Sequence, residues 1–79
     1  MDIKNELIEK FAKTTGISEE NIKKRSAENY FESGWLDSAA FLELITFIEE
    51  KFSVTFDADD FQNPDFMTID GLCEIIKNK

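Results

Sequence analysis

The sequence predicts an all-α protein, a small four-helix bundle with three main helices and one short one. Apolar residues recur at i, i+3, i+4 and i+7 in three separate stretches, the period of a one-sided helix. Cap-forming Ser, Thr or Asp residues stand at helix starts, and a glycine follows the first stretch. Nowhere do apolar and polar residues alternate as a half-buried strand requires. With 79 residues, 42% of them apolar and eight of them Phe, there is material for one compact core, so a single domain over residues 1–79 is expected. A core of this size only modestly outweighs chain entropy.

Ile3, Leu7, Ile8 and Phe11 mark the first helix, residues 3–15, and Gly16 offers the left-handed residue that stops it. Ser18 followed by Glu19 and Glu20 reads as a capped start with acids at the positive dipole end, giving one or two turns through Lys24. Residues 25–37 have no period, but Tyr30, Phe31, Trp35 and Leu36 can pin a long connection onto the core. A connection that long in a small domain is usually functional. The clearest helix runs from Ser38 to Phe52. Its core face is Phe41, Ile45, Ile48 and Phe52, with Leu44 and Leu42 flanking, and its outward stripe is Ala39, Glu43, Thr46 and Glu50, with Phe47 at the edge. After Val54 and Phe56, the acidic Asp57-Ala58-Asp59-Asp60 leads into one short turn at Phe61 before Asn63-Pro64 breaks it. Thr68 caps the last helix, in which Ile69, Leu72, Cys73 and Ile76 share a face. Cys73 is therefore a small core residue.

Net charge is −8 and unevenly spread: residues 26–76 hold twelve carboxylates against Lys51 alone. Nucleic acid and anionic membranes need a basic surface, so neither is an expected partner. Such a surface attracts basic patches on other proteins and speeds encounter at low salt. A monomer is expected. The lone Cys73 excludes an internal disulfide, and Met1-Asp2-Ile3-Lys4-Asn5-Glu6 lacks the basic-then-apolar pattern of a signal peptide, so the expected location is the cytoplasm.

The chain has no histidine, which removes Ser-His-Asp and Cys-His catalysis and the usual zinc sites. Paired acid–base work by carboxylates needs a pocket that separates their pKa values, and so small a bundle has little room for one. The acidic turn fails as a calcium loop: Asp57 and Asp59 fit the first and third positions, but Phe61, Gln62 and Thr68 occupy positions that need oxygen ligands, a glycine and a glutamate. There is no Gly-rich phosphate loop. No catalytic and no metal-binding residue is expected, and the protein is not an enzyme on this reading.

What remains is Asp37-Ser38, just downstream of the turn residue Gly34 and at the head of the central helix. Either side chain could cap that helix. A phosphate ester on Ser38 would also sit where free backbone N–H groups and the helix dipole favour an anion.

Gly34-Trp35-Leu36-Asp37-Ser38, then Phe41-Leu42-Glu43-Leu44, Ile48-Glu49-Glu50-Lys51-Phe52 and Phe56, resemble the central helix of acyl carrier proteins and the related peptidyl and aminoacyl carrier domains. The resemblance extends over nearly the whole chain, including the first helix and Thr68-Ile69-Asp70-Gly71-Leu72. It implies a four-helix bundle of acyl-carrier type. It also implies that 4'-phosphopantetheine is the cofactor, moved from coenzyme A onto Ser38 by a separate phosphopantetheinyl transferase, with Asp37 assisting the magnesium and coenzyme geometry. The arm's thiol would hold an acyl or aminoacyl group as a thioester for loading and transferring enzymes. Tethering gives cargo a high effective concentration at each partner in turn.

On the same resemblance, Ala39, Glu43, Thr46, Phe47, Glu49 and Glu50 are the partner-binding residues, the acids meeting Arg and Lys of basic patches. Trp35 and Phe47 serve either a partner or their own core. The family usually has Leu or Met where Ala39 stands, and often Met where Thr46 stands. Both departures turn the expectation away from housekeeping fatty-acid synthesis towards a free-standing carrier for polyketide, nonribosomal peptide or D-alanyl transfer. The rival expectation is an interaction module of the same fold that never receives the arm, with Ser38 only a helix cap.

Overall fold

The computed structural model describes residues 2–79. Helix α1 (Ile3–Thr15) begins at Asp2, whose carboxylate accepts from the Asn5 amide at 3.2 Å. It ends at Gly16, which takes φ 76° while its N–H donates to the Ala12 carbonyl. Helix α2 (Glu19–Lys24) is capped by Ser18 and buries Ile22. Helix α3 (Ser38–Phe52) starts at Asp37 and stops at Ser53, a left-handed residue. In α4 (Ala58–Gln62) the Asp57 and Asp60 side chains accept from each other's backbone N–H at 3.1 and 3.0 Å, a capping box. A 3-10 turn, Pro64–Met67, leads to α5 (Ile69–Lys77), whose Thr68 cap accepts from the Gly71 amide at 2.9 Å.

The all-α class and the three main helices stand as predicted. Both minor stretches are helical, so the described residues form five α-helices, not four. Asn63-Pro64 does end α4, but the proline then sits at the first position of the 3-10 turn, where its missing N–H costs nothing.

The core draws on every segment except α4. Leu7 and Phe11 of α1, Ile22 of α2, Leu44 and Ile48 of α3, Phe66, and Ile69 and Leu72 of α5 are almost wholly enclosed. Burying a side chain such as Phe66 contributes about 1.5–3 kcal/mol. Gly71 lets α5 start directly against the preceding turn, since a Cβ there would stand 1.9 Å from the Asp65 carbonyl oxygen. The long connection 25–37 is pinned as expected: Tyr30, Trp35 and Leu36 are buried, and the Tyr30 hydroxyl donates to the Phe66 carbonyl at 2.5 Å.

One assignment on α3 changes. Leu42, read as a flank of the core face, is 66% exposed, while the other flank, Leu44, is buried and Phe41 and Phe52 are half-buried. At 100° per residue Leu42 stands about 120° from Ile48, beyond the buried arc.

Candidate functional site

The segment leading into α3 is held from both sides. Upstream, the Arg25 guanidinium donates twice to the Glu28 carboxylate, both at 3.0 Å, and lies over the Trp35 ring at 5.1 Å. That pairing holds the Glu28 carboxyl below the usual carboxylate range. Asn29 accepts from the amides of Phe31 and Glu32, which tightens the turn before Gly34. Gly34 adopts φ 76°, a region that a Cβ strains, and returns the chain to the core. Trp35 then packs edge-on against Phe11, which settles it as a core residue, and Leu36 is buried beside it. The Trp35 Nε1 is enclosed with no acceptor among the described residues.

With Trp35 and Leu36 anchored inside, Asp37, Ser38 and Ala39 are all exposed. Asp37 is the N-cap: one carboxylate oxygen accepts from the Ala40 amide at 2.8 Å and its carbonyl from the Phe41 amide at 2.9 Å. Ser38 is the first residue inside the helix, and no hydrogen bond engages its hydroxyl among the described residues. Of the two residues that could cap the helix, Asp37 holds the cap position. Asp37 takes the Ala40 and Phe41 amides, which leaves those of Ser38 and Ala39 as the open donors of the first turn. A phosphodiester on Ser38 fits here. The hydroxyl is free, two N–H groups and the positive dipole end are adjacent, and one Asp37 oxygen remains available to a cation.

Along the outward face of α3 lies a groove of about 430 Å³ lined by Leu42, Glu43, Thr46, Phe47 and Glu50, with Lys10 of α1 on its far wall. The Lys10 ammonium stands 5.2 Å from the centre of the Phe47 ring. Ala39, Glu43, Thr46 and Glu50 are exposed and share this face, as the helical period implied. Thr46 returns its hydroxyl to the Leu42 carbonyl at 3.1 Å, so it presents its methyl and an acceptor outward. Glu49 departs from the set. Its carboxylate accepts from the Phe56 amide at 3.0 Å and fastens the chain after α3. Leu42 and Lys10 belong to the groove but were not singled out from sequence. A stricter reading of the α3 period would have found Leu42, whereas only packing brings Lys10 there from another helix. Cys73 is buried, and burial pushes its thiol up to about 11, so it stays a neutral core residue at ordinary pH.

A family profile described as the phosphopantetheine attachment site matches residues 5–76. The chain belongs to the phosphopantetheine-binding carrier family. It is 27% identical over 77 residues to a D-alanyl carrier protein of Lactobacillus delbrueckii subsp. bulgaricus, covering 98% of this chain and 92% of that protein. It is 31% identical over 68 residues to a D-alanyl carrier protein of Leuconostoc mesenteroides subsp. mesenteroides, covering 86% and 83% respectively. No solved structure matches the chain closely enough to count as a relative. As a member of the carrier family, this protein is a carrier and not an enzyme, and its cofactor is covalently attached 4'-phosphopantetheine. Carriers of this family work with transferases and with loading and transferring enzymes. None of its helices, among the described residues, is long and apolar enough to cross a membrane.

Proposed function

We propose that residues 1–79 act as one carrier domain that bears 4'-phosphopantetheine on Ser38 and presents D-alanyl groups to partner enzymes. The observation that carries the attachment site is the division of labour at the head of α3: Asp37 caps the helix, and Ser38 keeps an exposed, unengaged hydroxyl. The relatives named as D-alanyl carriers support the cargo. Ala39 and Thr46 stand where fatty-acid carriers favour larger apolar residues, which agrees with that cargo.

During attachment the Ser38 oxygen forms a bond to the phosphorus nearest the pantetheine of coenzyme A. The pyrophosphate link breaks, adenosine 3',5'-bisphosphate leaves, and the serine proton passes to a base of the transferase. Asp37, whose second carboxylate oxygen is not used by the cap, would help hold the magnesium ion that offsets phosphate charge during transfer. Once attached, the arm supplies a terminal thiol on which cargo is held as a thioester. Because Cys73 is buried and un-ionised, this chain offers no competing thiolate. Ala39, Leu42, Glu43, Thr46, Phe47 and Glu50 form the docking face, the carboxylates meeting basic side chains of the partner while Leu42 supplies the apolar contact. Exposed charge pairs of this kind contribute little energy each and mainly set encounter and orientation, which suits a carrier that must leave again.

The test is intact mass after incubation with coenzyme A and a broad-specificity phosphopantetheinyl transferase. The wild type should gain one phosphopantetheinyl group and Ser38→Ala none. Labelling that survives the substitution would move the site elsewhere, and an unlabelled wild type beside a labelled control carrier would leave an unmodified interaction module.

A further inference from the structure

One turn into α3 from Ser38, the seam between α3 and α4 is filled with aromatic rings. Phe41, one turn after Ser38 on α3, sits with its ring centre 6.4 Å from Phe61 of α4 and 5.9 Å from Phe66 beneath. Phe61 closes onto Phe66 at 5.0 Å and Phe56 at 6.2 Å, and Phe56 meets Phe66 edge-on at 5.1 Å. These are contact distances for aromatic pairs, with no width left for an alkyl chain. Phe66 is fully enclosed, whereas Phe61 is 41% exposed and lies over the others as a cover.

Helix α4 itself buries no residue. Besides Phe61 it is moored from the far end of the chain. The Lys79 ammonium donates to the Asp60 carboxylate at 2.6 Å and stands 5.4 Å from the centre of the Phe56 ring. Moving α4 aside would therefore break the Lys79–Asp60 ion pair as well as unstack Phe61.

From this packing we propose that Phe41, Phe61 and Phe66 keep the bundle closed to cargo. The carrier is thereby restricted to short acyl or aminoacyl groups that stay on the arm in solvent, and Phe61 is the specificity-determining residue. A long alkyl chain would remain in water at the end of its tether, with nothing gained from attachment to this protein. The inference rests on Ser38 as the attachment point.

A chemical tether tests it without any transferase. Ser38→Cys is alkylated either with iodoacetamide or with N-octyl iodoacetamide, and Cys73 is left unmodified because it is buried. The two adducts should melt within about 1 °C of each other and give the same ring proton resonances for Phe61 and Phe66. In Ser38→Cys/Phe61→Ala the octyl adduct should melt roughly 4 °C or more above the short one, as the chain enters the space the ring vacates. An octyl adduct that is stabilised, or that moves the Phe66 resonances, while Phe61 is present would show that the seam opens, and would overturn the proposal. Absence of any octyl effect in the Phe61→Ala background would overturn the role of Phe61. Since alkylation bypasses coenzyme A, failure of enzymatic labelling at Ser38 would sink the attachment reading alone and leave this result interpretable.

Discussion

Asp37 and Ser38 are both good capping residues, and the sequence places them side by side at the start of the same helix. A one-residue shift of the helix start would exchange their roles. The periodicity of α3 locates that start only to within a residue or two, so the pair was legible as a candidate site but its division of labour was not. Backbone geometry decides it: Asp37 is extended and takes the Ala40 amide, while Ser38 is already helical. Asp37→Ala should therefore lower stability by about 1 kcal/mol, the usual cost of a lost cap. Ser38→Ala should stay within about 0.5 kcal/mol of wild type, as for an exposed substitution that breaks no contact. Urea denaturation of the two variants measures both. Equal losses would return a capping role to Ser38.

At the scale of elements, the strongly periodic helices were legible from spacing, and the short α4 only as a single turn between an acidic cluster and a proline. Ile3, Leu7 and Phe11 on α1 and Ile69, Leu72 and Ile76 on α5 repeat closely enough to place both helices in sequence. Five-residue α4 has no such repeat. It exists because Asp57 and Asp60 cap one another and because Lys79, remote in the chain, reaches back to Asp60. The hydrogen bond from Lys79, with that from the Asp57 amide, holds the Asp60 carboxyl below its ordinary value. A carboxyl with a depressed folded-state pKa stabilises the fold at any pH above its unfolded pKa of about 4 and stops doing so as pH falls through the folded pKa. The stability difference between wild type and Lys79→Ala should accordingly be full at pH 6 and shrink below about pH 4. What survives in acid is the contact of Lys79 with Phe56. Parallel urea titrations at pH 6 and pH 3 provide the measurement. A difference that stays constant with pH would mean that Asp60 is not the group Lys79 holds.

Over the whole molecule, charge is the property read most directly from sequence, and its placement needed the fold. Twelve carboxylates between residues 26 and 76 announce an electronegative surface, but some of them are spent internally: Glu28 on Arg25, Glu49 on the Phe56 amide, Asp57 and Asp60 on capping. The fold leaves Glu43 and Glu50 exposed beside Leu42 on the face that runs from Ser38, with Lys10 across the groove as a counter-charge that sequence gave no reason to place there. If encounter is steered by this face, position must matter more than total charge. Glu43→Lys/Glu50→Lys and Glu19→Lys/Glu20→Lys change net charge equally, yet the second pair lies on α2, away from the groove. The first double variant should slow association with a phosphopantetheinyl transferase at low salt by about tenfold and flatten its dependence on ionic strength. The second should change the rate far less. Stopped-flow association measured between low and physiological salt separates the two. Equal slowing by both pairs would assign the steering to net charge and take the α3 face out of partner recognition.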